Sequence, residues 1–377
     1  MLDEKCMKTL GIDATFVGSG GAINHLKNIL KNSKSSEISF RTIHVWAPSW
    51  VLKLLPDKPH LIKNTNIYLN GPKFIKLIWC IFFMKKNLTS ARVDILYVLN
   101  GINFSRFKDF VGISQNLLPF VSGQILRFKK KPFFMFKLFL IKYLQIVSYK
   151  KSLGFIFLTS FTQEIFDELA NKNRSSIVIP HAVNIKSNIS KKRISSNLSI
   201  GYISPIDIYK NHLNVVHAVF LYNQNHLNKI SLHIVGGFGS GYKKVINFVK
   251  RNKMEKYIFF YGDVPSYQVD KIQSKMNIMI FASSCENFPI SILESMALKL
   301  PLLCSNIRPM PDILGKHAIY FNPDDIDSIY RAFLICDDKK LLIRNAEESY
   351  KTALKYNWEF VADKTFCYLH NIKRNKI

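Results

Sequence analysis

The sequence is poor in acid. Asp and Glu total 26 against 53 Lys and Arg, which leaves a net charge of +27 over 377 residues. A field of that sign attracts polyanions such as nucleic acid, anionic lipid headgroups or phosphorylated substrates. Paired cysteines are missing too. The six cysteines, Cys6, Cys80, Cys285, Cys304, Cys336 and Cys367, form no CxxC and no ligand cluster. That pattern reads as reduced thiols in a cytosolic protein, not a disulfide or zinc framework. The histidines show no metal-ligand spacing. There is no run of ~20 clean apolar residues to span a bilayer: residues 74–84 are broken by Lys76, and residues 133–149 by Lys137 and Lys142. Residues 1–10, with Asp3, Glu4, Lys5 and Lys8, lack the apolar core of a secretory signal. Internal repeats and low-complexity blocks are not evident. What is left is a globular composition, 48% hydrophobic and 21% charged, on a chain long enough for two domains.

The pattern along the chain is clearest in the second half. Short β-rich runs at 198–203, 230–235, 258–261, 278–282, 301–304 and 318–321 alternate with helical spacing at 211–222, 243–249, 267–274 and 291–298. Alternation of this kind implies a parallel, doubly wound sheet. In the first half, residues 13–17 lead into Gly18-Ser19-Gly20-Gly21 and a helix over 23–30. Strands are expected at 42–46, 95–99 and 154–158. The polar stretch 184–197 reads as a linker between domains. Two Rossmann-like domains imply a cleft between the carboxyl edges of two sheets, where backbone N–H groups and helix N-termini meet ligands.

The segment 283–297, SSCENFPISILESMA, places Glu286 in a loop after a buried strand and Glu294 one turn into the next helix. A carboxylate beside a helix N-terminus suits ligand hydroxyls, and a separation of eight residues sets the two acids along a ligand. The same residues admit a purely structural reading. Ser291 and Glu294 have the form of a capping box, and Glu286 that of a solvated loop acid.

Glu286, seven residues, Glu294 and then Ser295-Met296-Ala297 resembles the E-x7-E motif of retaining GT-B glycosyltransferases, family four above all. The stretches PLLCSNIRPMPDIL and AIYFNPDD are similar to that family's next strand, loop and strand. The similarity runs over 198–329 and more weakly over the N-terminal half. It implies an α/β protein of the GT-B fold, with two Rossmann-like domains facing a central cleft. Residues 1–184 would form the acceptor-side domain and 185–355 the nucleotide-sugar domain. A helix over 356–377 would pack back on the first domain.

The resemblance assigns Glu286 to the donor sugar and Glu294 to the nucleotide ribose, with Asn287, Phe288, Pro289 and Ile290 in the donor loop. Asn287 and Pro289 stand where the family often has glycines, and Pro289 brings no N–H to a donor phosphate. Lys299 likewise replaces a common glycine. Lys210 matches the lysine that neutralises the diphosphate leaving group, while Ser204 stands where an arginine is common. Gly236 and Gly237 match the donor-side glycine loop, and Val264 follows Gly262-Asp263 in a loop that meets the base. Gly20 and Gly21 resemble the glycine loop of the first domain. Their spacing is neither a dinucleotide fingerprint nor a P-loop, which argues against NAD or ATP. Gln115 precedes Asn116 where the family often has histidine, and His181 matches an interdomain segment lining the cleft. Asp325-Ile326-Asp327 is formally a DxD, but it precedes a helical pattern and reads as a helix cap. No metal and no cofactor is expected, with the nucleotide sugar entering as substrate.

The implied activity is that of a retaining, metal-independent hexosyltransferase. Its acceptor would be a growing surface polysaccharide such as lipopolysaccharide O-antigen, or a polyprenyl-diphosphate-linked glycan at the cytoplasmic face of the cell membrane. Residues 127–151 mix aromatics and lysines. They read either as a helix lying in an anionic membrane surface or as a sheet-covering helix with a solvated basic side. Other functions stay open: a nucleotide-sugar epimerase on the same fold, a basic nucleic-acid-binding protein, or a transferase that binds without turnover. Under the transferase reading no nucleic-acid partner is expected.

Overall fold

The computed structural model describes residues 8–18, 20–33, 40–171, 175–185 and 197–372. The expected linker lies mostly outside these residues, as do Cys6 and Ser19. The chain divides into two compact units. Unit 1 holds Met1–Phe120, Lys131–Ala182 and Asn357–Ile377, and unit 2 holds Val121–Lys130 and Val183–Tyr356.

Unit 1 runs β1 (Lys8–Asp13), α1 (Gly21–Asn32), β2 (Phe40–Trp46), α2 (Ser49–Leu52), β3 (Leu61–Asn64), α3 (Lys73–Phe82), α4 (Met84–Ser90), β4 (Ile95–Val98) and β5 (Phe110–Ser114). After α5 (Ser122–Leu126), which belongs to unit 2, it resumes with α6 (Pro132–Lys151), β6 (Gly154–Phe157), α7 (Ser160–Ala170) and β7 (Ser176–Val178). Among the described residues its strands form one parallel sheet, ordered β3-β2-β1-β4-β5-β6-β7.

Unit 2 runs β8 (Leu198–Ile203), α8 (His212–Asn225), β9 (Ile230–Val235), α9 (Tyr242–Arg251), β10 (Ile258–Gly262), α10 (Ser266–Gln273) and β11 (Ile278–Phe281). It continues with α11 (Ile290–Ala297), β12 (Leu302–Ser305), α12 (Met310–Leu314), β13 (Ile319–Phe321), α13 (Ile326–Ile335) and α14 (Lys339–Ala353). Its parallel sheet is ordered β10-β9-β8-β11-β12-β13. The last helix, α15 (Trp358–Asn371), lies in unit 1 against α1. Both units are doubly wound and Rossmann-like, as the alternation of strands and helices implies. The direction of winding reverses between β1 and β4 in unit 1, and between β8 and β11 in unit 2.

Burial explains the strand sequences. The strands β11 (IMIF) and β12 (LLCS) are buried at every position, because helices cover both faces of a parallel sheet. The edge strand β10 exposes Phe259 and Tyr261 instead. Helix α9 turns Val245 and Val249, one turn apart, into the core and leaves Lys243, Lys244, Lys250 and Arg251 in solvent. Helix α7 is capped at its start by Thr159, which accepts from the Thr162 N–H, and ends on Asn171 in the left-handed conformation.

One expectation needs correction, and one strand within the sheet was not anticipated. The first strand ends at Asp13, where residues 13–17 were expected to begin one, and Ala14–Val17 form a turn closed by Val17 N–H on Ala14 O at 3.2 Å. The apolar Phe16 that suggested a strand packs instead on the ring of Phe104. Strand β5 carries no strand pattern in sequence because Gly112 interrupts it. A Cβ there would stand 2.2 Å from the Phe155 ring.

Candidate functional site

Crossovers leave β8 in one direction to β9, while β11 is reached from the other side. The loops after β8 and β11 therefore diverge, and a crevice opens at the carboxyl ends of the two strands. A cavity of ≈ 140 Å³ lies there, lined by Ser204, Lys210, Phe281, Glu286, Pro289 and Ser291 among others. The Lys210 ammonium is ion-paired with the Glu286 carboxylate, and the two side chains are only 13% and 19% exposed. The ammonium also sits 5.2 Å from the centre of the Tyr209 ring.

The pair is held from behind by polar side chains. Tyr202, buried on β8, donates its hydroxyl to the Lys210 carbonyl and accepts from the Ala282 N–H at 3.2 Å. One phenol thus ties the two loops together. Burial, and then the charge of Glu286, push its ionisation well above the ordinary range, so it stays a donor. Asn211 adopts a left-handed backbone with φ 53°, a conformation Asn tolerates. Its amide donates to Ala282 O at 2.9 Å and to the Ser284 hydroxyl. Ser284 N–H donates to Tyr209 O at 2.8 Å. Arg127, just after α5, donates to Asn211 Oδ1 at 2.7 Å and pairs with Asp324. His212 stacks on Tyr202 with ring centres 4.1 Å apart. Burial and the nearby Lys210 charge bring its imidazole down to about 3, so it is neutral. Burial first, and Glu286 second, push the Cys285 thiol up to about 12, which leaves no thiolate nucleophile there.

The glycine loop after β9 is joined to this framework. Gly236 N–H donates to Gly262 O at 2.9 Å, Ser204 N–H to Val235 O at 2.8 Å, and Ile206 N–H to Gly237 O at 2.9 Å. Gly236 has φ +142°, and a Cβ there would stand 2.4 Å from the Ser204 carbonyl oxygen. The Asp207 carboxylate accepts from Ser240 N–H at 2.9 Å and from its hydroxyl at 2.8 Å. A second cavity of ≈ 150 Å³ abuts the same loop, lined by Arg127, Asp207, Asn211, His212 and Lys244 among others.

Of the residues singled out in sequence, Ser204, Lys210, Glu286 and Pro289 meet on one cavity, and Gly236 and Gly237 back it. Ile290 opens α11, whose N-terminal turn borders the cavity through Pro289 and Ser291. Ser291 lies inside the helix, and Pro289 holds the cap position with no side-chain cap bond. The capping box is therefore not formed. Glu294 is half-buried on α11 and Val264 half-buried after β10. Asn287 is buried.

Phe288 is buried and packs on Tyr356, with ring centres 5.5 Å apart. His181 is buried in unit 1 between His25, at 5.2 Å, and Trp358, at 6.4 Å, and burial holds it neutral. Gly20 caps α1 at φ +95°, and Gly21 is its first residue. Gln115 buries its amide nitrogen with no hydrogen-bond partner among the described residues. Asn116 caps the Leu118 N–H at 3.1 Å. Asp325 caps α13 by accepting from Asp327 N–H at 2.9 Å. Among the described residues no group of three or more His, Cys, Asp or Glu side chains is placed to hold a metal ion.

The sequence reading did not anticipate Arg127, Tyr202, Asp207, Asn211, Ser284 or Asp324 as parts of the site. Asn before a helical run was a signal for the left-handed turn at Asn211. Nothing in the linear sequence joins Arg127 to residues 211 and 324.

Residues 185–348 match the family model of glycosyl transferases group 1. The O-antigen chain mannosyltransferase B of Escherichia coli is 25% identical over 166 residues, 44% of this chain and 43% of that protein. The chain thus spans less than half the length of the curated relatives it matches. Over nearly the whole chain the fold is similar to a glycosyltransferase from Rickettsia africae ESF-5, with TM-score 0.73, 15% identity, and coverage of 98% of this chain and 100% of that one. It is also similar to Anabaena Alr3699/HepE, solved in complex with UDP and glucose, with TM-score 0.68, 15% identity and coverage of 96% and 98%.

Proposed function

We propose, since residues 185–348 match the family model of glycosyl transferases group 1, that the chain transfers a hexose from a nucleotide sugar to a glycan or lipid-linked acceptor with retention of configuration. The observation that carries this reading is the Lys210–Glu286 pair on the cavity at the β8/β11 crevice. The bond between the sugar C1 and the diphosphate oxygen breaks, and the acceptor oxygen bonds to C1 on the same face. The acceptor proton passes to the departing phosphate. Lys210 and the N-terminal turn of α11 meet the charge that develops on the diphosphate. Glu286 holds the sugar hydroxyls, and Glu294 the ribose. Among the residues lining the cavity no carboxylate other than Glu286 stands ready as a nucleophile, and Glu286 is engaged by Lys210. Same-face substitution without a covalent intermediate is therefore the mechanism favoured. No step is assigned to a metal: a lysine and backbone dipoles are the groups present to balance the phosphate charge.

Thermal stabilisation of the purified chain against UDP-, GDP-, ADP- and dTDP-sugars identifies the donor. Turnover by the wild type, with anomeric NMR of the product, tests retention. Lys210→Ala and Glu286→Gln are each expected to lower turnover at least a hundredfold. Stabilisation by no nucleotide, or full activity in both variants, overturns the assignment. Conversion of the donor without any acceptor marks an epimerase instead.

The proposed acceptor sits at an anionic membrane surface on the cytoplasmic side, and unit 1 supplies the contact. In α6, Phe133, Phe136, Leu140 and Tyr143 recur at helical spacing and are exposed, Phe133 by 91%. The opposite, buried side carries Leu138, Gln145, Ser148 and Tyr149. The helix thus turns Phe133, Phe136, Leu140 and Tyr143 outward, while Gln145 and Ser148 are buried beside Leu138 and Tyr149. Residues 127–151 and 73–90 contain Lys or Arg but no Asp or Glu. Helices α3 and α4 expose Phe74, Ile78 and Phe82 and pack on Leu96 and Val98 of β4. Val98, Gly112 and Phe155 are in register, and Tyr149 of α6 meets Phe155. The aromatic helices therefore share one face of the sheet. Apolar side chains rimmed by lysines suit acyl chains beneath anionic headgroups; nucleic acid would satisfy the lysines but not Phe133, Leu140 or Ile78. Among the described residues no helix is long and apolar enough to cross a membrane. Co-sedimentation with phosphatidylglycerol vesicles is expected, reduced at least tenfold by Phe133→Asp with Phe136→Asp. Equal binding to neutral vesicles, or preference for oligonucleotides, rejects this partner.

A further inference from the structure

We infer that Arg127 is a positioning residue for the Lys210–Glu286 pair, acting through a closed ring of four polar side chains. Arg127 donates to Asn211 Oδ1 at 2.7 Å, and Asn211 donates from its amide to the Ser284 hydroxyl. Ser284 donates to Asp324 Oδ1 at 3.4 Å, and Asp324 pairs with Arg127. Asp324 Oδ1 accepts from both the guanidinium and the serine. The guanidinium fork serves two acceptors, and the serine hydroxyl accepts one bond and donates one. The ring joins four loops: the one after α5, the one after β8, the one after β11 and the one after β13. Its members adjoin the proposed site. Asn211 follows Lys210 directly, and Ser284 precedes Glu286 by two residues. Asn211 also donates to Ala282 O at 2.9 Å, on the first residue after β11. A shift of either loop would therefore break ring bonds before it separated the ammonium from the carboxylate.

The source of the arginine is the informative point. Residues 121–130 fall in sequence between elements of unit 1, yet they belong to unit 2. Within that excursion Arg127 reaches residues 84 and 197 positions further along. Without Arg127, Asp324 loses its cation and Asn211 its second anchor, while no apolar core is opened. Its ion pair, with Asp324 half-exposed, adds little to folding stability. Its contribution is the fixed spacing of two reacting-site groups, where small misplacements lower turnover steeply.

The inference rests on the proposed roles of Lys210 and Glu286. The test compares wild type, Arg127→Met, Arg127→Lys, Asp324→Asn and the Arg127→Met/Asp324→Asn pair, with Lys210→Ala as control. Each is measured for kcat, donor KM and melting temperature on the full chain. Arg127→Met is expected to lower kcat at least tenfold, with donor KM within threefold and melting temperature within 2 °C. Lysine is expected to recover part of the loss, and the double variant to lose no more than the worse single one. If kcat falls less than twofold, or if activity and melting temperature fall together, or if the losses multiply, the positioning role is overturned. If Lys210→Ala keeps full activity, the donor-site reading itself fails, which separates the two outcomes.

Discussion

The Lys210 ammonium is engaged by an ion pair, and its partner is the residue expected to hold the sugar. A donor diphosphate must therefore compete with Glu286 for that cation. Replacing Glu286 by Gln removes the competing charge and keeps the shape. Free nucleoside diphosphate should then bind Glu286→Gln as tightly as wild type or a few-fold tighter, while sugar transfer collapses. Calorimetric titration of both proteins checks this, and weaker binding by the variant would contradict it. Gly236 offers a second residue-scale prediction. With φ +142° and a Cβ position 2.4 Å from the Ser204 oxygen, Gly236→Ala should cost about 2–4 kcal/mol of stability through strain and overlap, read as a lower denaturant midpoint. Legibility at this scale was uneven. Glu286 stood out as an acid in the loop after a buried strand, and Lys210 through the family resemblance. Asn211, Ser284 and Asp324 did not, because a polar ring is closed by loop geometry that no local pattern encodes.

At the scale of elements, the period of burial decided what could be read. Strands β8 and β9 sit where their apolar runs predict them, since each is bounded by Ser-Pro or Gly-Gly. Strands β3 and β7 are short and lie at sheet edges, so they lack the apolar run that would announce them. Helix α6 was visible as a helix, but its two apolar sides left its outward face undecided, and only burial of Gln145 and Ser148 settles the rotation. Helix α15 binds α1 through a well-buried set that includes Phe366, whose ring stands 6.3 Å from Phe40. Phe366→Ala should therefore cost roughly 3–5 kcal/mol in a urea unfolding series. A cost under about 1 kcal/mol would show α15 to be dispensable for unit 1.

For the whole molecule, acid is the condition that matters. Three histidines are buried and neutral: His25 held down to about 4, His212 to about 3, and His181 well below its ordinary value, each by burial first. In the unfolded chain they titrate near 6.5. Below that pH the unfolded chain binds protons that the folded chain refuses, so stability is full above about 6.5 and declines as pH falls. Each histidine contributes a slope of up to about 1.4 kcal/mol per pH unit. Asp13 opposes them: burial raises its pKa, so the folded chain takes up its proton first and gains stability on acidification. Three groups outweigh one. Urea unfolding at pH 7.5, 6.0 and 5.0 should show a falling midpoint, and an unchanged midpoint would refute this balance. Three of these four groups, His25, His181 and Asp13, sit in unit 1 and His212 in unit 2, so acid should weaken both.

The chain passes from one unit to the other at four points, after residues 120, 130, 182 and 356. Unit 1 is begun before unit 2, yet α15, which covers α1, follows every element of unit 2 in the chain. Unit 2 holds all of its strands once Tyr356 has been added, whereas the unit begun first must wait with α1 uncovered until residues 358–371 arrive. The order of birth and the order of completion are therefore reversed. A nascent chain arrested near residue 356 should resist protease across its second half and be cut within its first.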